Sequence, residues 1–591
     1  MCGIFGYVGN SKDATIMAVD GLKSLEYRGY DSWGVAWKEG GALLYKKEIG
    51  KISGVDGASL STGCSLAIGH TRWATHGGVT VENAHPHFNE SKTIAVVQNG
   101  IFENYQELRD ELKAKGHVFV SETDTEVAPH LIEEYLKQTN DFAQAVRMAC
   151  KRFTGRYGIV VINTESNVMV AARTGSPLIV GVQKASGYFV ASDTPAFLHH
   201  TRTVQYLDDG EMLMTDGTTI LFCDIFTGEE KPKREIEITW TAEQAEKGDY
   251  AHYMLKEIMD QKESVARSVN QSDEEIHAIA EAIKNAKGTF LVACGTAHKA
   301  CAASEYFFSV VAGHHVNVAP ASEFTVYHHF LKPESLLFVV SQSGETADVL
   351  EAMTVAKSKG AKVLAIVNVK GSSIDRAADY TLLIHAGPER AVASTKAFTG
   401  QLAVLLLVAH ALAGKLHQGK QLLLETSSMI NDMLNPRYVE RIEALAKKIK
   451  DEEDMYIIGK SWNYPLALES AIKIQEVSYI HAEGFAGGEL KHGPIALIDK
   501  GTPCVVLAGN DETLPDILSN AIQLKARGAF VIGVAPNENE IFDEWVRVPD
   551  AGPAQAIVNV IPIQVLAYFL AVQRGKDPDM PRNLAKSVTV K

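Results

Sequence analysis

The chain has 591 residues, too many for one hydrophobic core and enough for about four domains of common size. Apolar residues make up 46% and charged residues 22%, which excludes a disordered or fibrous chain. Asp and Glu outnumber Lys and Arg, 72 to 57, a formal charge of −15 without basic runs; this disfavours nucleic acid but allows a phosphorylated small molecule held by backbone amides at a helix start.

In chain order, residues 1–237 are dense in short β-like runs: GIFGYVG, SLAIGHT, TIAVVQNG, YGIVVIN, VMVAAR, PLIVGV and YFVASD. Two helical patterns interrupt them, IFENYQELRDELKAKG and TEVAPHLIEEYLKQ. The expectation is an α+β domain of stacked antiparallel sheets with helices. A polar, acidic stretch follows and reads as a linker over 238–249.

Beyond it, short apolar strands alternate with amphipathic helices, as in TFLVACG then HKACAASEYFFSVVAG, and LLFVVSQSG then ETADVLEAMTVAKSKG. That alternation predicts βαβ units on a parallel sheet. MYIIGK followed by SWNYPLALESAIKIQEVSYI repeats the pattern, so two α/β units are expected, at 250–430 and 431–581, with a polar tail over 582–591. The most apolar windows, QLAVLLLVAHALAG and AIVNVIPIQVLAYFLAV, fall short of the ~20 residues a bilayer needs and read as buried helices. Seven scattered cysteines without CxxC pairs, and no secretory leader pattern, predict a cytoplasmic protein without disulfides.

Cys2 carries the first chemical signal. Removal of Met1 would leave its α-amine, with a pKa of about 8, as a base for its own thiol. The alternative is an ordinary edge strand at the chain start. Together MCGIFGYVG, YRGYDSWG, HTRWATHG, NAHPH, NGIFEN and SETDTE resemble the class II glutamine amidotransferase domain, an N-terminal-nucleophile hydrolase fold. The resemblance implies that Cys2 attacks the glutamine amide and that Asn99 and the Gly100 N–H bind the oxyanion. It further implies that Arg72 clamps the substrate carboxylate, that Asp124 pairs with its ammonium, and that Trp73, Thr75, His76 and His85 line the pocket, Trp73 gating ammonia. His85 and His87 lack neighbouring ligands at metal spacing, so no metal is expected there.

In the second half, LLFVVSQSGETADVL reads strand, Ser/Gly turn, helix, a receptor for a phosphate dianion or, more plainly, a helix cap. ACGT, SQSGET, VASTKAF and the second run resemble paired sugar isomerase (SIS) domains. The resemblance implies phosphate binding by Thr296, Ser341, Gln342, Ser343 and Thr346, with Val392 and Ser394 lining the sugar site. It implies ring opening by His492, a Schiff base at Lys586, and proton transfer by Glu476 aided by Lys473. In bland terms Lys473 and Glu476 have the spacing of a surface ion pair. Ala297 stands where this family usually has Ser, and Gln475 where it often has Lys.

Taken in this order, the two resemblances imply a glutamine-dependent amination and isomerisation of fructose 6-phosphate to glucosamine 6-phosphate, without metal, nucleotide or other cofactor. The resemblance further implies a homodimer with His492 contributed across the interface, and no nucleic acid or membrane partner is expected. The alternatives are action on another ketose 6-phosphate, or a glutaminase that senses a phosphosugar.

Overall fold

The computed structural model describes residues 2–60, 63–74, 76–184, 186–238 and 247–588. The chain forms two compact units, Met1–Ala245 with Ala585–Lys591, and Glu246–Leu584.

The first unit is built on period-two strands. In Gly3–Gly9, Ile4 and Val8 face one core while Phe5 and Tyr7 face another. This strand sits inside an eight-stranded antiparallel sheet, between Leu66–Arg72 and Gly187–Ala191. A six-stranded antiparallel sheet centres on Ile94–Gly100, Tyr157–Asn163 and Met169–Thr174. Ile4, Ile68, Val97, Val160 and Val190 fill the space between the sheets. Helix Ala14–Ser24 covers the outer face of the larger sheet, and Tyr105–Ala114, Val127–Thr139 and Phe142–Cys150 cover that of the smaller. The layers are therefore helix, sheet, sheet, helix. Helices Ala14–Ser24 and Phe142–Cys150 were not anticipated from the sequence, being short and joined closely to flanking turns. At the end of the expected first domain Ile236–Glu237 pairs with Thr203–Tyr206 at the sheet edge; of the expected linker 238–249, residues 239–246 lie outside those described.

The second unit holds two five-stranded parallel sheets. The first runs Asn317–Pro320, Thr289–Ala293, Leu336–Ser341, Lys362–Val367, Tyr380–Leu383. The second runs His481–Ala486, Asp454–Gly459, Pro503–Leu507, Phe530–Ala535, Glu544–Arg547. Each has chain order 2-1-3-4-5, so the repeat seen in the sequence is a repeat of topology. In such sheets a crevice opens at the carboxyl ends of the first and third strands, where the winding reverses.

One hydrophobic cluster joins both sheets through helices Lys396–Leu412, Asn463–Ser478 and Gln555–Gln573. The last helix corrects a sequence expectation. With its leading turn it spans 22 residues, Gly552–Gln573, long enough for a bilayer, so shortness does not settle its nature. Burial does: 94% of its apolar window is inside the protein. Its Asn559 is satisfied there, donating to Asn463 Oδ1 at 2.9 Å and to the Ala508 carbonyl at 3.1 Å.

Candidate active sites

Pairing of Gly3 with Thr71 brings Cys2 beside the end of strand Leu66–Arg72. The Trp73 N–H donates to Cys2 Sγ at 3.2 Å. Burial pushes the thiol pKa up, and the Trp73 N–H and the guanidiniums of Arg72 and Arg28 only partly oppose it. From the other sheet, Asn99 Nδ2 donates to the Cys2 carbonyl at 2.9 Å. Arg28 Nε donates to the same carbonyl at 3.3 Å and is paired with Asp193 at 2.9 Å.

Asn99 is oriented by His70, a residue the sequence reading left without a role. His70 Nε2 lies 2.9 Å from the Gln98 carbonyl and 3.1 Å from Asn99 Oδ1. Both are acceptors, so Nε2 carries the proton. Burial depresses the His70 pKa to about 3, which keeps the ring neutral and the arrangement constant across physiological pH. Gly100 follows with φ +99°, and a Cβ there would meet the Arg156 carbonyl at 2.0 Å, so only glycine fits.

The other expected pocket residues divide. Asp124 is buried, accepts the Phe102 N–H at 2.9 Å, and has its pKa raised by burial. His85 is buried, stacks on His70 at 4.0 Å, and contacts Thr125 Oγ1 at 2.9 Å; His87 contacts Thr123 Oγ1 at 3.1 Å. Trp73 packs edge-on against Tyr30, and His76 against Tyr105. Arg72 donates to the carbonyls of His76, Gly77 and Gly78, so a substrate carboxylate would have to exchange with these partners. Thr75 and Met1 lie outside the described residues.

In the second unit, strands Thr289–Ala293 and Leu336–Ser341 are the first and third of their sheet, and their carboxyl ends carry Thr296 and the 341–346 turn. Ser341 and Thr346 hydroxyls are 2.9 Å apart, the Gly344 N–H donates to Ser341 Oγ at 3.1 Å, and the Glu345 N–H donates to Ser343 Oγ at 3.2 Å. Thr346 is the N-cap residue of helix Ala347–Ser358, but its side chain makes no capping bond. Its hydroxyl turns to Ser341 instead, so the plain helix-cap reading accounts for the position and not for the hydroxyl. Gln342 follows Ser341 in the turn, and its carbonyl accepts the Asn368 N–H at 3.2 Å. Ser394 donates to Glu389 at 2.9 Å, and Val392 is buried.

Helix Asn463–Ser478 delivers the ionisable groups. Lys473 Nζ is 2.9 Å from Glu476 and 3.4 Å from Glu469, and Thr296 Oγ1 donates to Glu469 at 3.1 Å. Burial alone would neutralise Lys473, but the two carboxylates outweigh it and hold the pKa above its usual value. Burial pushes Glu469 up to about 7, against the pull of Lys473. The pair is therefore no surface ion pair: Lys473 is 1% exposed. Glu469 was missed from the sequence as a site residue, although 469, 473 and 476 lie on one helical face at i, i+4 and i+7.

His492 is exposed at the end of the turn Gly487–His492. Gln475 donates to the Ala482 carbonyl at 2.5 Å, a use within the fold. Lys586 is half-buried in the tail that belongs to the first unit.

A model of the glutamine amidotransferase domain matches residues 70–199, and the SIS domain model matches 282–411 and 448–574. Glutamine–fructose-6-phosphate aminotransferase (isomerizing) of Pyrococcus horikoshii is 44% identical over the full length of both chains, and that of Thermococcus kodakarensis 43%. The solved C-terminal domain of glucosamine-fructose-6-phosphate aminotransferase from Francisella tularensis is 35% identical with a TM-score of 0.52, covering 56% of this chain and 99% of that one. Fold and site together define a glutamine amidotransferase domain joined to a pair of sugar isomerase domains. The chain belongs to the family of the isomerizing glutamine–fructose-6-phosphate aminotransferases, and it is an enzyme.

Proposed function

We propose that the enzyme converts fructose 6-phosphate and glutamine to glucosamine 6-phosphate and glutamate. The observation that carries the sugar chemistry is the buried Glu469–Lys473 pair beside Thr296 with the half-buried Glu476 on Lys473, because a sensor has no need of acid and base groups held there.

In the first unit, Cys2 Sγ attacks the glutamine amide carbon. Asn99 Nδ2 and the Gly100 N–H stabilise the oxyanion, ammonia leaves, and water hydrolyses the thioester to glutamate. Arg72 and Asp124 hold the substrate's carboxylate and ammonium, with Trp73, Thr75, His76 and His85 around it. Ammonia passes internally, since in bulk water at neutral pH it would protonate and lose its nucleophilic lone pair.

For the sugar chemistry, Ser341, Gln342, Ser343, Thr346 and Thr296 bind the phosphate, and Val392 and Ser394 flank the sugar. His492 opens the ring, and Lys586 holds the open chain as a Schiff base at C2 until ammonia displaces it. Glu476 moves the proton from C1 to C2, with Lys473 stabilising its carboxylate and Glu469 setting the position of Lys473. The exposed His492 supports a homodimer in which a second copy completes the site. Seven unpaired thiols support a cytoplasmic location.

The test is quantification of glucosamine 6-phosphate against glutamate with fructose 6-phosphate present, beside Cys2→Ala. Equal amounts, with the variant active on ammonia but not on glutamine, are expected. Glutamate without amino sugar would leave only a glutaminase or another sugar, and Ala297 would be the first residue to examine.

A further inference from the structure

A cluster of side chains stands apart from the residues assigned above. His117 follows helix Tyr105–Ala114, while His130 and Glu133 lie three apart on one face of helix Val127–Thr139. His130 is 1% exposed and His117 9%. Their Nδ1 atoms are 3.0 Å apart, and Glu133 Oε2 lies 3.6 Å from His117 Nδ1. One ligand atom from each residue falls within 4.8 Å of the other two.

The placement of protons decides what this cluster does. Glu134 Oε1, which also pairs with Lys137, stands 3.2 Å from His117 Nε2 and draws the ring proton there. At His130, Nε2 has no hydrogen-bond partner, and its neighbour is Glu126 Oε1 at 3.9 Å. Glu126 is a carboxylate: it accepts the N–H groups of Val120 and Ser121 and the Ser121 hydroxyl, with Arg109 at 3.6 Å. An imidazole lone pair turned toward that anion is unfavourable, so Nε2 of His130 also takes the proton. Both Nδ1 lone pairs then point into one space with the Glu133 carboxylate, whose other oxygen accepts from Asn89 Nδ2 at 2.8 Å. In this tautomer three acceptors converge, and a 3.0 Å Nδ1–Nδ1 separation needs either a shared proton or a cation between the rings.

We propose that His117, His130 and Glu133 bind a zinc ion through Nδ1, Nδ1 and Oε2, with a fourth position open to water. Tetrahedral zinc with bonds of about 2.0–2.1 Å places its ligand atoms about 3.3 Å apart; the two separations from His117 Nδ1, 3.0 and 3.6 Å, bracket that spacing, and that between His130 and Glu133 falls within 4.8 Å. Two imidazoles and a carboxylate suit zinc better than magnesium or calcium, which take oxygen ligands. Glu134, Glu126 and Asn89 are the outer partners that fix ring and carboxylate orientation in such sites. The ion would clip the His117 segment to the helix that follows Asp124, a structural role in the glutaminase unit.

The test is calorimetric titration of the chelator-dialysed full-length enzyme with zinc sulfate, in a Cys2→Ala background so that the nucleophile cannot bind the metal. Cobalt(II) absorption of tetrahedral intensity serves as a second readout. One equivalent is expected, abolished by His117→Gln and weakened about tenfold or more by Glu134→Gln, which touches no metal. If His117→Gln fails to fold, Glu134→Gln decides. Absence of a saturable equivalent, or an equivalent indifferent to both substitutions, overturns the site and points to a histidine pair sharing a proton.

Discussion

Asn99 shows how one side chain acquires a direction. Its amide oxygen is held by the Nε2–H of a His70 that burial keeps neutral, so its NH2 group faces the chain carrying Cys2. A donor fixed before the oxyanion forms needs no reorganisation when charge develops. Asn99→Ala should therefore lower glutamine-dependent turnover by about 10²–10³-fold, while synthesis from added ammonium is unchanged. Loss of both activities would mean that Asn99 supports the fold and not the oxyanion. Glu469 offers a second test at this scale. Its folded pKa of about 7 lies above that of an unfolded carboxyl, about 4.3. Between those values the folded state holds a proton that the unfolded chain has lost, so its contribution to stability declines as pH rises through that window. Glu469→Gln keeps the shape and cannot ionise. Its Tm relative to the parent should rise from about pH 5 to about pH 8, and a constant difference would refute the shift.

Among elements, the turn between strand Leu336–Ser341 and helix Ala347–Ser358 does most to shape the proposed sugar site. Gly344 has φ +67°, and a Cβ there would stand 2.0 Å from Ser372 Oγ. Alanine would force either the turn or the Ser372 segment to move, displacing the hydroxyls of Ser341 and Thr346 together. Gly344→Ala should raise KM for fructose 6-phosphate at least about tenfold, as expected when a charge-assisted hydrogen bond is lost, with glutamine hydrolysis intact. An unchanged KM would remove this turn from phosphate binding. The turn was legible in SQSGET because a strand, a glycine and a helix start are contiguous in sequence. Glu389, which accepts the N–H groups of Thr395 and Ala397 and the Ser394 hydroxyl, was not, since its partners become neighbours only after the chain doubles back.

For the whole molecule, the shared core of the second unit sets what can fold alone. Helix Lys396–Leu412 is buried along almost all its length in the cluster joining both parallel sheets. A fragment spanning 247–584 should melt cooperatively, whereas one ending at 430 would expose that helix and should aggregate or melt without a transition, as circular dichroism will show. A cooperative transition in the shorter fragment would mean that each SIS half has its own core. From the sequence alone came the two domain classes, the strand–helix alternation, the repeat, the Ser/Gly turn and Cys2 as the proposed nucleophile, because each is written in contiguous residues or in a short-range period. Tertiary structure alone decided the neutral His70 behind Asn99, the burial of Lys473 between Glu469 and Glu476 that sets it apart from a surface ion pair, and the meeting of His117 with His130. It also decided that Gly552–Gln573 is a core helix, since length and hydropathy fit a membrane span as well. The physical reason is common to all of these: desolvation and hydrogen bonding depend on which distant segments pack together, and no local pattern records that.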